Sequence, residues 1–263
     1  MPVTGKPYAV LVNSFDTYSD CWKPFFTLLF RYWDLRDCKV YLVTDKKSFN
    51  HPMVHCIQAR QSTWSGNLKA ALKKIDESHV IYMQEDYFLE ARVNIEKLEG
   101  YLSLMQGDPS IDYLELTPFG AKLPNVRRNS AIYEIPIFSK YRASTQIALW
   151  KKSSLENLLR PWETGWEFEF YGSLRSGRMG NRHCCYLRND LYVDPIFQYQ
   201  PTGIVKGKWM QFVYEICKRE NIDVDFSERG FHQATLPIIR RAQLLKSLLV
   251  RPSQQLKSIS SLW

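Results

Sequence analysis

The sequence predicts an α/β protein with a mixed, largely parallel sheet flanked by helices. Apolar segments of five or six residues alternate with segments of helical period, and the alternation repeats at the spacing of strand–helix–strand units. The chain has 263 residues, of which 45% are hydrophobic and 24% charged, as expected for one sizeable globular domain. We see no internal repeat and no linker that divides it.

The elements follow in order along the first half. The predicted strands and helices alternate: strand 8–13, helix 21–32, strand 39–44, helix 64–75, strand 79–83 and helix 94–106. The second half is less regular, with strands predicted over 111–116, 143–149 and 191–198, a loop over 200–208 and a helix over 209–220. The Leu- and Ile-containing segment from Leu236 onward differs in character, and Pro252 is predicted to break it.

Mostly polar residues follow three of the predicted strands. They are Asn13, Ser14, Phe15 and Asp16 after the first, Thr44 and Asp45 after the second, and Gln84, Glu85 and Asp86 after the third. The carboxyl ends of parallel strands meet at one edge, where open α/β sheets bind ligands. Acids fixed there can hold a divalent cation against a diphosphate. The alternative is a pair of acids that caps a strand at the surface.

A second acidic motif lies within residues 162–175. Glu167 and Glu169 alternate with Trp166, Phe168 and Phe170, so an extended backbone would place both acids on one side and the rings on the other. A carboxylate beside apolar rings has a raised proton affinity, which suits a general base. The alternative is an amphipathic strand with a solvated acidic face.

A third motif, residues 199–209, combines glycines with lysines. Gly203 and Gly207 allow close approach of a ligand, and Lys206 and Lys208 offer positive charge to phosphate. The spacing is not that of a Walker A loop, and a solvated loop is the alternative. The five histidines show no convincing metal spacing, and there is no G-x-S-x-G motif for acyl hydrolysis.

Charge and cysteine usage limit the class of protein. The net charge is +8, but six basic residues and no acid lie in 229–263, so the rest of the chain is close to neutral and a nucleic-acid partner is not expected. The six cysteines form no C-x-x-C pair, which favours free thiols. Without a predicted signal or membrane span, we expect a cytoplasmic protein.

These motifs and their order resemble bacterial GT-A (Rossmann-like) glycosyltransferases of surface-polysaccharide assembly, such as those that build lipopolysaccharide O-antigen or capsule. The resemblance covers roughly residues 8–209. It depends on the helix that opens Trp64-Ser65-Gly66-Asn67-Leu68 and on the strand that ends in Gln84-Glu85-Asp86-Tyr87-Phe88-Leu89. The family's usual Asp-x-Asp is replaced by Gln84-Glu85-Asp86, and Asp86 matches the metal-proximal acid. A divalent metal, Mn²⁺ or Mg²⁺, is therefore implied, while Gln84 in place of the first acid sets this chain apart.

The resemblance also implies roles for the other motifs. Inverting members carry Glu-Asp-x-Asp-Leu-x-x-Arg, and counting back from Arg175 places Glu169 on the catalytic Asp, with Glu167 the next candidate base. Asn13 to Asp16 would hold the nucleotide, and Trp64 would contact its base or ribose. Lys206 and Lys208 would close over the diphosphate, and Arg175 would be a further donor-binding residue.

The expected organisation is a glycosyltransferase domain over 1–228, with a donor half over about 1–120 and an acceptor half over about 121–228. The resemblance implies that residues 229–263 form a basic amphipathic helical tail at the anionic inner face of the cell membrane, near a glycan or lipid-linked acceptor. Two other classes of function stay open. One is a non-catalytic sugar- or nucleotide-binding module, and the other is a glycoside hydrolase, which needs two carboxylates across a cleft.

Overall fold

A computed structural model describes residues 7–120, 132–186, 193–233 and 251–262. Its centre is an eight-stranded mixed sheet with the strand order β3-β2-β1-β4-β7-β5-β8-β6. The strands are β1 (Tyr8–Asn13), β2 (Val40–Thr44), β3 (Val54–Gln58), β4 (His79–Gln84), β5 (Ile111–Glu115), β6 (Ile132–Glu134), β7 (Ala148–Lys151) and β8 (Arg182–Tyr186). A separate hairpin pairs β9 (Ile204–Val205) with β10 (Lys208–Trp209).

Parallel and antiparallel pairing divide the sheet into two parts. Strands β3, β2, β1 and β4 are mutually parallel, β7 runs antiparallel to both β4 and β5, β8 is parallel to β5, and β6 is antiparallel to β8. All six residues of β1 are buried, as expected for a central strand with both faces covered. The prediction of a mixed, largely parallel sheet is thus confirmed.

Helices cover both faces of this sheet. They are α1 (Ser19–Tyr32), α2 (Trp64–Leu72), α3 (Ile95–Gly107), α4 (Lys152–Leu158), α5 (Gly165–Glu167), α6 (Ser173–Arg178), α7 (Gln211–Arg219) and α8 (Pro252–Ser260), with a π-helical turn at Phe168–Gly172 between α5 and α6. Val10 and Val12 of β1 pack in one core with α1 and α3, whereas Ala9 and Leu11 pack in a second core with α2 and α4. Among the described residues, no helix is long and apolar enough to cross a bilayer.

Several sequence predictions for the second half were wrong. The strand placed at 143–149 begins only at Ala148, and no strand occupies 193–198; in the first half, β3 was not predicted. The segment 162–175 is helical rather than extended, because Thr164 caps α5 through the backbone N–H of Glu167 and the chain continues through the π turn into α6. The segment 200–208 contains the hairpin rather than an open loop.

The described parts of the predicted tail lie on the body of the protein. Phe231 pairs with Trp209, and α8 begins at Pro252, which occupies a first-turn position that a helix tolerates. Residues 234–250, which contain Arg240, Arg241 and Lys246, lie outside the described ranges. The amphipathic tail and the domain boundary at 228 therefore stay predictions.

Candidate active site at the carboxyl edge of the parallel strands

The sheet has a topological switch point between β1 and β4. The chain leaves β1 for β2 and β3 on one side and returns to β4 on the other, and Asn13 at the end of β1 lies beside Val43 and Gln84. In open α/β sheets, the loops diverge at such a point and leave a crevice beyond the carboxyl ends of the strands. The structure therefore brings together the ends of β1, β2 and β4, as the sequence predicts.

The residues after β1 shape this edge. Ser14 is buried, and its hydroxyl accepts a hydrogen bond of 2.7 Å from the indole N–H of Trp22. Phe15 is extended and leads into a short 3₁₀ turn that begins at Asp16. The Asp16 carboxylate accepts the backbone N–H groups of residues 45–47 at 3.0–3.2 Å. Asp16 thus ties the loop after β2 to the loop after β1.

Glu85 and Asp86 are both buried at the end of β4, with 5% and 8% of their surface exposed. Burial, together with the adjacent Asp86 charge, raises the pKa of Glu85 well above its ordinary value. Asp86 Oδ2 accepts the Thr202 hydroxyl at 2.6 Å and the N–H groups of Gly203 and Ile204 at 3.2 and 3.3 Å. Burial raises the pKa of Asp86 as well, and these three hydrogen bonds oppose the rise.

The β9–β10 hairpin begins at this carboxylate. A side chain at Gly203 would meet the Phe88 ring at 2.4 Å, so only glycine allows the hairpin to approach Asp86 so closely. At the other end, Lys206 and Gly207 have φ of 53° and 75°, as in a two-residue turn of type I′. Lys206 and Lys208 are exposed on either side of Gly207.

Arg229 joins the hairpin to the first helix. Its guanidinium forms a bidentate ion pair with Asp20 at 2.5 and 2.6 Å, donates to the carbonyl of Thr17, and donates to the carbonyl of Gly207 at 3.3 Å. It lies 5.0 Å from the centre of the Tyr18 ring. The positive charge of Arg229 also acts on the acid pair, since this charge opposes the rise in the pKa of Glu85. The sequence placed this residue in a tail, and no local pattern marks it as part of the site.

Glu169 lies on the same edge, although it comes from the π turn. Its Oε1 accepts the N–H and hydroxyl of Thr145 at 2.9 and 2.8 Å and the hydroxyl of Ser144 at 3.5 Å. The carbonyl of Thr145 accepts the Tyr87 hydroxyl at 3.0 Å and the Gln84 amide at 3.5 Å. Thr145 therefore links Glu169 to the end of β4.

The environment of Glu169 suits proton transfer. Oε1 takes all three of its hydrogen bonds, which leaves Oε2 without a partner among the described residues. The side chain is 8% exposed, and burial raises its pKa above the ordinary glutamate value. Sequence reasoning chose Glu169 but missed Thr145 and Ser144, which hold it, because nothing in the local sequence marks a serine or threonine as a partner of a distant acid.

Glu167 and Arg175 have structural partners elsewhere. The Glu167 carboxylate accepts the Thr164 N–H at 2.7 Å in a capping box and pairs with Arg251 at 3.2 Å. Arg175 is 1% exposed and forms a bidentate pair with the fully buried Glu163 at 2.7 and 2.6 Å. Glu167 therefore does not face Glu169 across a cleft, the arrangement that a two-carboxylate hydrolase needs.

Trp64 lies between the strands and the π turn. Its ring contacts Phe168 at 5.3 Å and Tyr82 at 6.2 Å between centroids. Since Phe168 directly precedes Glu169, this packing supports the turn that carries the acid.

The donor set at the acid pair does not fit a divalent metal. Asp86 Oδ2 is already engaged by three donors, Glu85 is almost fully buried, and an amide, Gln84, stands in place of a third acid. In the described ranges, no group of three or more His, Cys, Asp or Glu side chains could hold a metal ion. The metal expected at Asp86 is not supported by its surroundings.

No family model and no curated protein matches the chain. Solved structures match at low identity. Staphylococcus aureus TarS 1–349 in complex with UDP has 14% identity and a TM-score of 0.49 over 93% of this chain and 71% of that one. The mannosyltransferase PcManGT from Pyrobaculum calidifontis, in complex with GDP-Man and Mn²⁺, has 10% identity and a TM-score of 0.45 over 99% and 86%. A CMP:2-keto-3-deoxy-manno-octonic acid synthetase with CTP has 14% identity and a TM-score of 0.43 over 68% and 88%. Because all three TM-scores are below 0.5, we infer function from the residues of this chain.

Proposed function

We propose that this chain is a glycosyltransferase that moves a sugar from a nucleotide-sugar donor to a hydroxyl of a glycan or lipid-linked acceptor, with inversion, in cell-surface polysaccharide synthesis. The observation that carries the proposal is the arrangement around Glu169. A buried carboxylate with one unengaged oxygen lies on the same sheet edge as the switch-point crevice and the basic hairpin. Such an edge suits a nucleotide on one side and an acceptor on the other.

Glu169 is the proposed base. Its Oε2 takes the proton of the acceptor hydroxyl as that oxygen forms a bond to the anomeric carbon, and the bond from that carbon to the diphosphate oxygen breaks. The nucleoside diphosphate leaves with the bonding electrons. The raised pKa makes Glu169 a better proton acceptor near neutral pH than an exposed glutamate. Attack from the side opposite the leaving group gives the inverted product.

The donor is proposed to occupy the crevice at β1 and β4. Asn13 and Ser14 border its floor, and the exposed Lys206 and Lys208 of the hairpin offer positive charge to the diphosphate. The partly buried Trp64 and the buried Arg175 support the turn that carries Glu169. A cytoplasmic location at the inner face of the membrane remains part of this proposal, through residues 229–263.

A ligand panel tests the proposal. Thermal unfolding is measured with UDP, GDP, CMP and their sugar conjugates, each with and without manganese. Stabilisation by at least one nucleotide sugar is expected, since a ligand that binds only the native state raises its stability. If none of them shifts the melting temperature in either condition, the transferase assignment is wrong. Binding without any sugar transfer to acceptors would favour the non-catalytic binding module.

A further inference from the structure

We infer that three side chains of this chain bind the donor diphosphate, Lys206 and Lys208 through their charge and Arg229 through a side-chain N–H, and that donor binding therefore needs no divalent cation. The inference rests on the proposed function, because it concerns the same donor site. It departs from the metal that the sequence resemblance implies, and it assigns a binding role to Arg229, which the sequence placed outside the site.

One carboxylate oxygen of the acid pair is already committed to the protein itself. The Oδ2 atom of Asp86 accepts hydrogen bonds from three donors at the start of the hairpin, the Thr202 hydroxyl and the N–H groups of Gly203 and Ile204. Glu85 is 5% exposed. A Mg²⁺ ion requires near-octahedral oxygen coordination and is ordinarily bound by one or two carboxylates in addition to phosphate oxygens. With Asp86 Oδ2 engaged by the hairpin and an amide at Gln84, the end of β4 offers fewer carboxylate oxygens than an Asp-x-Asp motif would.

Positive groups converge on the turn of the same hairpin. Arg229 Nη1 donates to the carbonyl of Gly207 at 3.3 Å, and Lys208 Nζ donates to the carbonyl of Arg229 at 3.5 Å. Lys206 directly precedes Gly207 in the turn. The hairpin therefore connects the buried Asp86 at its base with two exposed lysines and the Asp20-paired Arg229 at its tip.

Arg229 is held in a fixed position at this tip. Asp20 and the Thr17 carbonyl engage Nε and Nη2, and Trp209 donates its backbone N–H to Gly230 while His232 donates to Trp209. The second hydrogen of Nη1 has no acceptor among the described residues. Because it is pre-positioned, this N–H can bind a phosphate oxygen at little entropic cost, while the two exposed lysines contribute mainly charge.

Calorimetric titration of UDP and GDP tests the inference. We expect the wild-type protein to bind at least one of them with the same Kd, within about threefold, in EDTA and in MnCl₂. The double variant Lys206→Gln/Lys208→Gln should weaken diphosphate binding by about tenfold to a hundredfold, in line with the strength of charge-assisted contacts to phosphate. Binding of the uncharged nucleoside should change little.

Matched variants separate a specific effect from a general one. Lys218→Gln removes one exposed positive charge from α7 and should leave the Kd within about twofold of wild type. Thermal melts of the double variant check that it remains folded, so that a change in Kd can be assigned to the lost charges. Arg229→Lys keeps the charge but removes the planar fork, and it should weaken diphosphate binding in EDTA.

Each outcome has a separate meaning. Binding that appears only with MnCl₂ would overturn the inference and leave the proposed function standing. Wild-type affinity in the double lysine variant would overturn it as well. If no nucleotide or nucleotide sugar binds in either buffer, the proposed function itself fails.

Discussion

The two acidic pairs of the chain, Glu85–Asp86 and Glu167–Glu169, lie in different kinds of structure. The first pair follows a central strand and is buried, and the second is divided between α5 and the π turn. In each pair one acid is committed to the fold: Asp86 anchors the hairpin, and Glu167 completes a capping box. The comparison shows that the hydrogen-bond donors around each carboxylate, rather than its position in the sequence, determine whether that carboxylate is available to react.

The largest expected effect separates the two acids of the second pair. Glu169→Gln removes the base and should lower the rate of sugar transfer by about 10²–10⁴-fold, the usual contribution of general-base catalysis. Glu167→Gln serves as the matched control and should reduce the rate far less, since Glu167 caps α5 and pairs with the partly exposed Arg251 rather than facing the acceptor. Steady-state transfer rates and nucleotide titrations of both variants check this, with donor affinity retained in each.

The pH profile of the wild type sharpens the same comparison. Only the deprotonated form of Glu169 can accept a proton, so the rate should fall as the pH is lowered through the pKa of this group. Burial raises that pKa, and the inflection should therefore lie above the ordinary glutamate value of about 4.3. Equal losses of rate in Glu167→Gln and Glu169→Gln would contradict the assignment of Glu169 as the base and Glu167 as a helix cap.

The next effect concerns the support beneath Glu169. Arg175→Met leaves Glu163 as an unpaired, fully buried acid, and it should lower the free energy of unfolding by about 3–5 kcal/mol. A double variant, Glu163→Leu/Arg175→Met, should lose less, because no buried charge remains. Urea denaturation of the three proteins measures both values. A loss of less than about 1 kcal/mol in Arg175→Met would show that the pair contributes little to the fold.

The smallest expected effect lies in the strand-end pair. Burial and Asp86 raise the pKa of Glu85, so the folded protein keeps a proton that the unfolded chain releases. Stability should therefore fall as the pH rises above the ordinary glutamate pKa, until the folded-state pKa is passed, by at most about 1.4 kcal/mol per pH unit for one group. Glu85→Gln should flatten this slope between pH 5 and pH 8 in thermal melts. If the slope of stability against pH is unchanged in Glu85→Gln, a group other than Glu85 titrates over this range.

The first half of the fold was predictable from sequence. Strands such as β1 and β4 read as continuous apolar segments because they are buried on both faces, and α1 and α2 show clear helical periods. The strand β3 was missed, since its burial alternates and its residues include His55 and Cys56. Elements of this half are specified locally, which is why their order and edge could be inferred.

The second half depends on contacts between distant segments. Alternating acids and rings over 166–170 satisfy a strand pattern, but the cap at Thr164 and packing against Trp64 and Trp150 favour helical turns. The partners of Glu169 come from residues 144 and 145, and Arg229 reaches Asp20 across 209 positions. The periodicity of a sequence carries no information about contacts between such distant residues. Glu169 could therefore be identified from the sequence, but the residues that surround it could not.

The π turn at Phe168–Gly172 adds residues to one helical turn relative to an ideal α-helix. It lets Phe168 and Glu169 face the interior while Phe170 is exposed, and it lets α6 continue to the buried Arg175. Loss of a single codon here would rewind the turn and rotate α5 by about 100° relative to α6. This short stretch should therefore tolerate many replacements of its exposed side chains but few changes in its length, which makes conserved spacing a better signature of the site than conserved residue identity.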